Sequence, residues 1–310
     1  MFHFIQEGDT IEHLATALGI ENPKHLREYN NRTCLPEDLI DGVLIPGRKV
    51  SIPTLPEIER FNALNDAGFK SAAANPDLSW KSFKWKEQYE VGINYPLPSG
   101  ASSSLKYRIR IEWYRSEHLY HYYKIYKTHT RLTTESKMSN LAIAVIEAIN
   151  PLMVMLDQDG RLFKIKMSPE AGLNWPDEKA RLLDLFPDPY AAQYIESFEY
   201  GLGQAEFFDK RMKQDLFIRH YFAPFRSAFH KGQSGFKLQA AKGVELQIGQ
   251  QVKPGEDTEL IQLEQFSHIP GQYEAQLDLA VATNVIDSMH IRLGGETAEA
   301  FTTLDVNRIK

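Results

Sequence analysis

The chain has 310 residues, 43% of them hydrophobic and 25% charged, a length and balance suited to two folded domains. A formal charge of −6 speaks against nucleic acid as a partner, and a single cysteine excludes an internal disulfide framework and a cysteine-rich metal site. The longest apolar run, near Leu141–Leu156, is broken by Glu147, Asn150 and Pro151, so no transmembrane segment is expected.

Phe2-His3-Phe4-Ile5 predicts a short strand, and Gly8-Asp9-Thr10 a turn into a helix beginning near Ile11. Ile11, Leu14, Ala15 and Leu18 recur at helical spacing, and Gly19 is placed to end that helix. Asn22-Pro23 starts a second helix with Leu26 and Tyr29 on its apolar face. A closing strand is expected either at Ile45-Pro46 or at Lys49–Ile52 before Pro53. So small a unit has a thin core and leans on the rest of the chain.

Over residues 1–53 this order of elements resembles the LysM domain. The resemblance implies a βααβ module that binds glycans containing N-acetylglucosamine, either peptidoglycan or a chitin-like chain. Carried onto this sequence, the glycan contacts would be Gly8, Asp9, Thr10 and Ile11 on one side, and Asn30, Leu35, Ile40 and Gly42 on the other. The segment Arg32–Gly47 departs from the family in its length. Met1 runs directly into the first strand with no basic leader or apolar signal core, so synthesis in the cytoplasm is expected. Leaderless members of the family are familiar from contractile and type VI-like secretion systems. The alternative partner is therefore a protein of such an apparatus, reached by non-classical export.

Residues 54–104 read as a connecting arm that packs on the larger domain. Pro56-Glu57 opens a short helix with Ile58, Phe61 and Leu64 on one face, Trp80 and Trp85 seek burial, and Tyr95–Gly100 with Ser102-Ser103-Ser104 reads as an exposed loop. From Leu105 the period is two: Tyr107, Ile109, Ile111 and Trp113 alternate with Arg108, Arg110 and Glu112. Leu119–Leu132 is a second strand, Ser136–Asn150 a buried helix, and Asp157-Gln158-Asp159-Gly160 the turn of a hairpin. Residues 168–230 form a helical insertion of three or four helices. Strands follow at Val244–Val252, Glu259–Ile269, Tyr273–Thr283, Ile286–Leu293 and Phe301–Ile309, punctuated by Pro254-Gly255, Pro270-Gly271 and Gly294-Gly295, with Asn284 a turn or a bulge. Residues 105–310 are thus an α+β domain built on an antiparallel sheet.

Catalytic signatures are weak. Cys34 lies inside the LysM-like region and is unsuited to be a nucleophile, and His118, His121 and His129 lack metal-ligand spacing. Tyr194-Ile195-Glu196-Ser197-Phe198 imitates the Glu-Ser of a lytic transglycosylase, yet Gly201-Leu202-Gly203-Gln204 follows too closely to fold over the acid. Asp157-x-Asp159-Gly160 lacks the remaining ligands of a calcium loop. A basic and aromatic strand segment, with Arg108, Arg110, Trp113, Tyr122 and Lys124, offers a face for a partner. The expected protein is a non-catalytic docking adaptor or carrier with no cofactor. The rivals are a peptidoglycan-cleaving glycosidase using Glu196 and a carrier of lipids or other apolar ligands.

Overall fold

The computed structural model describes residues 2–64, 75–97, 101–134, 136–229, 232–239, 244–253, 259–294 and 301–309. The turn residues Pro98–Gly100, Pro254-Gly255 and Gly295 lie outside them.

The N-terminal unit has the element order βααβ. Strand β1 (Phe2–Phe4) pairs antiparallel with β2 (Lys49–Ser51), so Ile52-Pro53 and not Ile45-Pro46 follows the closing strand. Helix α1 (Ile11–Ala17) starts where the Thr10 hydroxyl accepts from the His13 backbone N–H. Helix α2 (Pro23–Thr33) starts where the Asn22 side chain accepts from Lys24, with proline in the first turn. The unit buries Ile5, Ile11, Ala15, Ile20, Leu26, Ile40, Leu44 and Val50 in a core of its own. That core also takes Ile58 from helix α3 (Leu55–Leu64). The Asn62 amide of α3 donates to the Gly19 carbonyl at 2.8 Å and accepts from the Glu21 N–H at 3.0 Å. The start of the expected arm is therefore the outer wall of the first unit.

The rest of the chain is built on one antiparallel sheet of eleven strands. In chain order they are β3 (Lys86–Pro96), β4 (Ser102–Glu117), β5 (Tyr120–Leu132), β6 (Leu152–Leu156), β7 (Leu162–Met167), β8 (Gln233–Gln239), β9 (Glu245–Lys253), β10 (Leu260–Ser267), β11 (Tyr273–Ala280), β12 (Ile286–Gly294) and β13 (Phe301–Arg308). Their spatial order is β7-β6-β5-β4-β3-β13-β12-β11-β10-β9-β8. Residues 86–96, expected within the connecting arm, form a central strand: Tyr89, Val91 and Ile93 are buried at period two, and the final strand β13 pairs with them. Strand β8 has no counterpart in the sequence reading, because its only buried apolar side chains are Phe236 and Leu238.

One face of the sheet is covered by the remaining helices. These are α4 (Lys137–Ala148), α5 (Pro169–Leu185), α6 (Pro189–Gly203), α7 (Ala205–Met212) and α8 (Leu216–Tyr221). They share a single core with the sheet, in which Tyr89, Tyr123, Phe217 and Tyr221 have no exposed surface. The Tyr89 and Tyr221 hydroxyls meet at 2.8 Å, and the Tyr89 hydroxyl donates to the Ile286 carbonyl at 3.1 Å, tying β3 to α8 and β12. Aromatic rings pack through this interior, Trp85 against Tyr123 and Phe217 against Tyr221 among them. Among the described residues no helix is long and apolar enough to cross a membrane.

A buried cation locks the loops beneath this core. The Arg226 guanidinium lies 3.7 Å from the centre of the Trp80 ring and donates to the carbonyls of Leu78 (2.7 Å) and Asn284 (2.8 Å). Loss of water draws its pKa down to about 10. Asn284 itself sits in the turn between β11 and β12 at φ 58°, and its amide donates to the carbonyls of Asp77 and Ser79.

Candidate functional site

The N-terminal residues implied as glycan contacts separate into two groups. Gly8 adopts φ 89°, and the Asp9 carboxylate accepts from the Gln6 N–H at 2.8 Å and faces the His3 Nε2 at 2.7 Å. The backbone hydrogen bond, then the one to His3, hold that carboxyl below the usual range. Thr10 caps α1, and Ile11 is buried in the core. These residues shape the turn; Ile11 has no free surface for a sugar.

Asn30 turns inward as well. It has no exposed surface: its Nδ2 donates to the Asp38 carbonyl at 2.9 Å and its Oδ1 accepts from the Ser51 N–H at 2.8 Å. It pins the loop after α2 to the closing strand. The next residue repeats the device, since the Asn31 amide donates to the Ile40 carbonyl (3.0 Å) and accepts from the Ile40 N–H (2.9 Å). The result is a fixed loop in which Leu35 is exposed, Ile40 is buried and Gly42 takes φ 118°.

That loop forms one wall of a cleft of about 380 Å³. Its roof is α2 and the loop, with Arg27, Asn31, Arg32, Ile40, Asp41 and Gly42. Its floor is the β8–β10 end of the sheet. Register places Gly235 of β8, Gly249 of β9 and Phe266 of β10 in one row across the strands. Alternation puts that row on the face opposite Phe236 and Ile248, which point into the core. A Cβ on Gly249 would lie 2.9 Å from the Phe266 ring, so glycine lets the ring lie flat across β9. Phe266 keeps 42% of its surface exposed. Gln233 and Gln247 complete the floor with neutral donors and acceptors, beside His268. A flat aromatic among planar amides and guanidiniums fits a ring that is apolar on one face and polar at its rim.

The structure thus brings Ile40 and Gly42 together with residues the sequence reading did not single out. One signal was available. Phe266 falls on the polar phase of β10, next to Glu264, while the facing strands carry glycine in mid-run.

The partner-facing residues of β4 and β5 divide as well. Arg108, Arg110, Lys124 and Tyr122 share the face opposite Ile109, Ile111 and Tyr123, where Arg110 stacks on Tyr126 (4.0 Å) and Arg115 on Tyr122 (5.0 Å). Trp113 is on the other face, paired with Tyr123 and packed against the core, because the strand alternates. The cations of this face meet carboxylates: Arg108 with Glu90, Arg110 with Glu112, and Lys124 with Glu170.

His118 sits in the turn between β4 and β5 at φ 52°, and His121 stacks on Phe83. Glu196 is exposed on α6, and the hollow beside it is lined by Ser197, Tyr200, Gly201, Gln204 and Phe207 without it. The Asp157 carboxylate accepts from the N–H groups of Asp159 and Arg161, which spends it on the hairpin turn. Burial pushes the Cys34 thiol up to about 11. Among the described residues no cluster of three His, Cys, Asp or Glu side chains is arranged to hold a metal ion.

No family model and no curated protein matches this chain. The solved structures that resemble it distantly include two of different kinds. A lipovitellin, studied for its lipid–protein interactions, is 13% identical over 72% of this chain at a TM-score of 0.35, and this chain spans 24% of it. A β-barrel-like protein of the domain of unknown function DUF1849 from Brucella abortus is 10% identical over 74% of this chain and 98% of its own, at a TM-score of 0.29.

Proposed function

We propose that this is a non-catalytic docking protein whose N-terminal unit, similar to a LysM module, holds an N-acetylglucosamine-containing glycan against the end of the large sheet. The observation that carries the reading is the row Gly235–Gly249–Phe266 facing the Asn31-pinned loop across one cleft. Phe266 supplies a stacking surface, the two glycines keep the floor low, and the amides of Gln233 and Gln247 meet hydroxyl and acetamido groups. The site is preorganised, because two asparagines fix the loop and the ladder of β8–β10 fixes the floor.

Calorimetric titration with the tetramer of N-acetylglucosamine tests this reading. The wild-type chain is expected to bind in the micromolar to millimolar range. Phe266→Ala is expected to weaken binding about tenfold, the worth of one stacking contact of about 1–1.5 kcal/mol. Binding that is unchanged by Phe266→Ala, or absent in the wild type, contradicts it.

A further inference from the structure

A second hollow, of about 520 Å³, lies where α6 ends and α7 begins. Helix α6 contains no lysine or arginine, and it turns Ala191 and Ile195 into the core. That leaves Tyr190, Glu196 and Tyr200 on its solvent side, with Tyr200 74% exposed. Helix α7 buries Phe208 and so turns Phe207 outward, 61% exposed. The Phe207 ring lies against Gly201, 3.4 Å from where a Cβ would stand. Two aromatic rings thus border one concave surface, on the outer side of the helical layer.

Glu206 is the one charged residue among those described in this lining, and it forms no ion pair among the described residues. The cations of α7 do not answer it. Lys210 lies outside the lining, and the Arg211 guanidinium reaches Gln214 at 3.5 Å. Glu199 is spent on Lys179 and the Trp175 indole, whereas Glu196, one turn before Tyr200, faces solvent. Carbonyls at the end of α6 and N–H groups at the start of α7 carry opposite partial charges that offset each other, so Glu206 sets the sign of the hollow.

We propose that this hollow docks an arginine side chain presented by a partner protein. A guanidinium is planar and weakly hydrated, stacks on aromatic faces and donates within its own plane. Tyr200 and Phe207 offer the faces, Glu206 the charged acceptor, and Ser197 and Gln204 neutral acceptors at the rim. The hollow opens on the solvent side of two helices, where a side chain carried on a surface loop has access. The cation-free side of α6 extends it through Glu196 to Tyr190, which favours a basic segment over an acidic one. This site shares no lining residue with the Phe266 cleft, so it stands apart from the glycan reading.

A short glycine-serine peptide carrying one central arginine is titrated into the full chain and followed by backbone amide NMR. A second peptide carries citrulline, which keeps the shape of arginine and loses its charge. The arginine peptide is expected to bind in the millimolar range and to shift the amides of Gly201, Gln204 and Phe207. The citrulline peptide is expected to bind about fivefold more weakly. Tyr200→Ala and Glu206→Gln change exposed side chains, so the sheet amides are expected to stay in place while each variant weakens the arginine peptide about threefold. Equal binding of the two peptides, shifts that fall elsewhere, binding that survives both substitutions, or no binding of the arginine peptide overturns the proposal.

Discussion

Gly160 shows how much a single position can decide. It turns the β6–β7 hairpin at φ 80°, and a Cβ there would run into the indole Nε1 of Trp80. Trp80 is in turn stacked on Trp85 at 5.2 Å and covered by Arg226. Gly271 has nearly the same backbone, φ 77°, with nothing within 4 Å of its Cβ position. Gly271→Ala carries only the left-handed backbone cost, about 1–2 kcal/mol. Gly160→Ala adds an overpacking cost of about 1–3 kcal/mol, so chemical denaturation is expected to rank it clearly as the less stable variant. Equal losses would mean that the indole moves aside freely. The sequence marks both glycines as turn formers, but the contact with Trp80 spans eighty positions and leaves no local trace.

At the scale of elements, α8 carries a pH-sensitive group. His220 on this helix is buried, with both ring nitrogens unpartnered and its ring 5.8 Å from that of Tyr273. Burial first, then the neighbouring charge of Arg219, draws its pKa down to about 3. The folded value lies below the unfolded value of 6.5, so the unfolded chain takes up the proton first. The contribution of a neutral His220 is complete above pH 6.5 and is lost as pH falls toward 3, at about 1.4 kcal/mol per pH unit. Replacing His220 with phenylalanine is expected to flatten this part of the pH–stability curve without loss at pH 7. An unchanged slope would assign it to other groups. Elements with a clean period were legible in the sequence. Strands β9 to β13 alternate and are punctuated by Pro-Gly and Gly-Gly, and the α1 and α2 starts carry recognisable caps. Strand β3 was hidden by the aromatic-basic stretch before it, and β8 by its glutamines and glycine. The arm assigned to residues 54–104 was really two pieces, a wall of the first unit and a central strand of the sheet.

At the scale of the whole molecule, two cores meet across a cleft that neither holds alone. The sequence displays the N-terminal wall of that cleft only through Ile40 and Gly42. It places the contacts at Ile11 and Asn30, which fold inward, because a family pattern records the positions that fix a loop as well as those that touch a ligand. The floor is assembled from three strands brought together by the sheet, and such a row is invisible to any local pattern. On the proposed glycan reading the cleft grips its ligand from two sides, with the first unit as one jaw.

Hydrogen–deuterium exchange with and without the N-acetylglucosamine tetramer tests that claim most directly. Two-sided binding predicts added protection at Leu39–Gly42 together with β9 near Gly249 and β10 near Phe266, and none at Gly8–Ile11. Protection confined to the N-terminal unit, with the sheet unaffected, would contradict it.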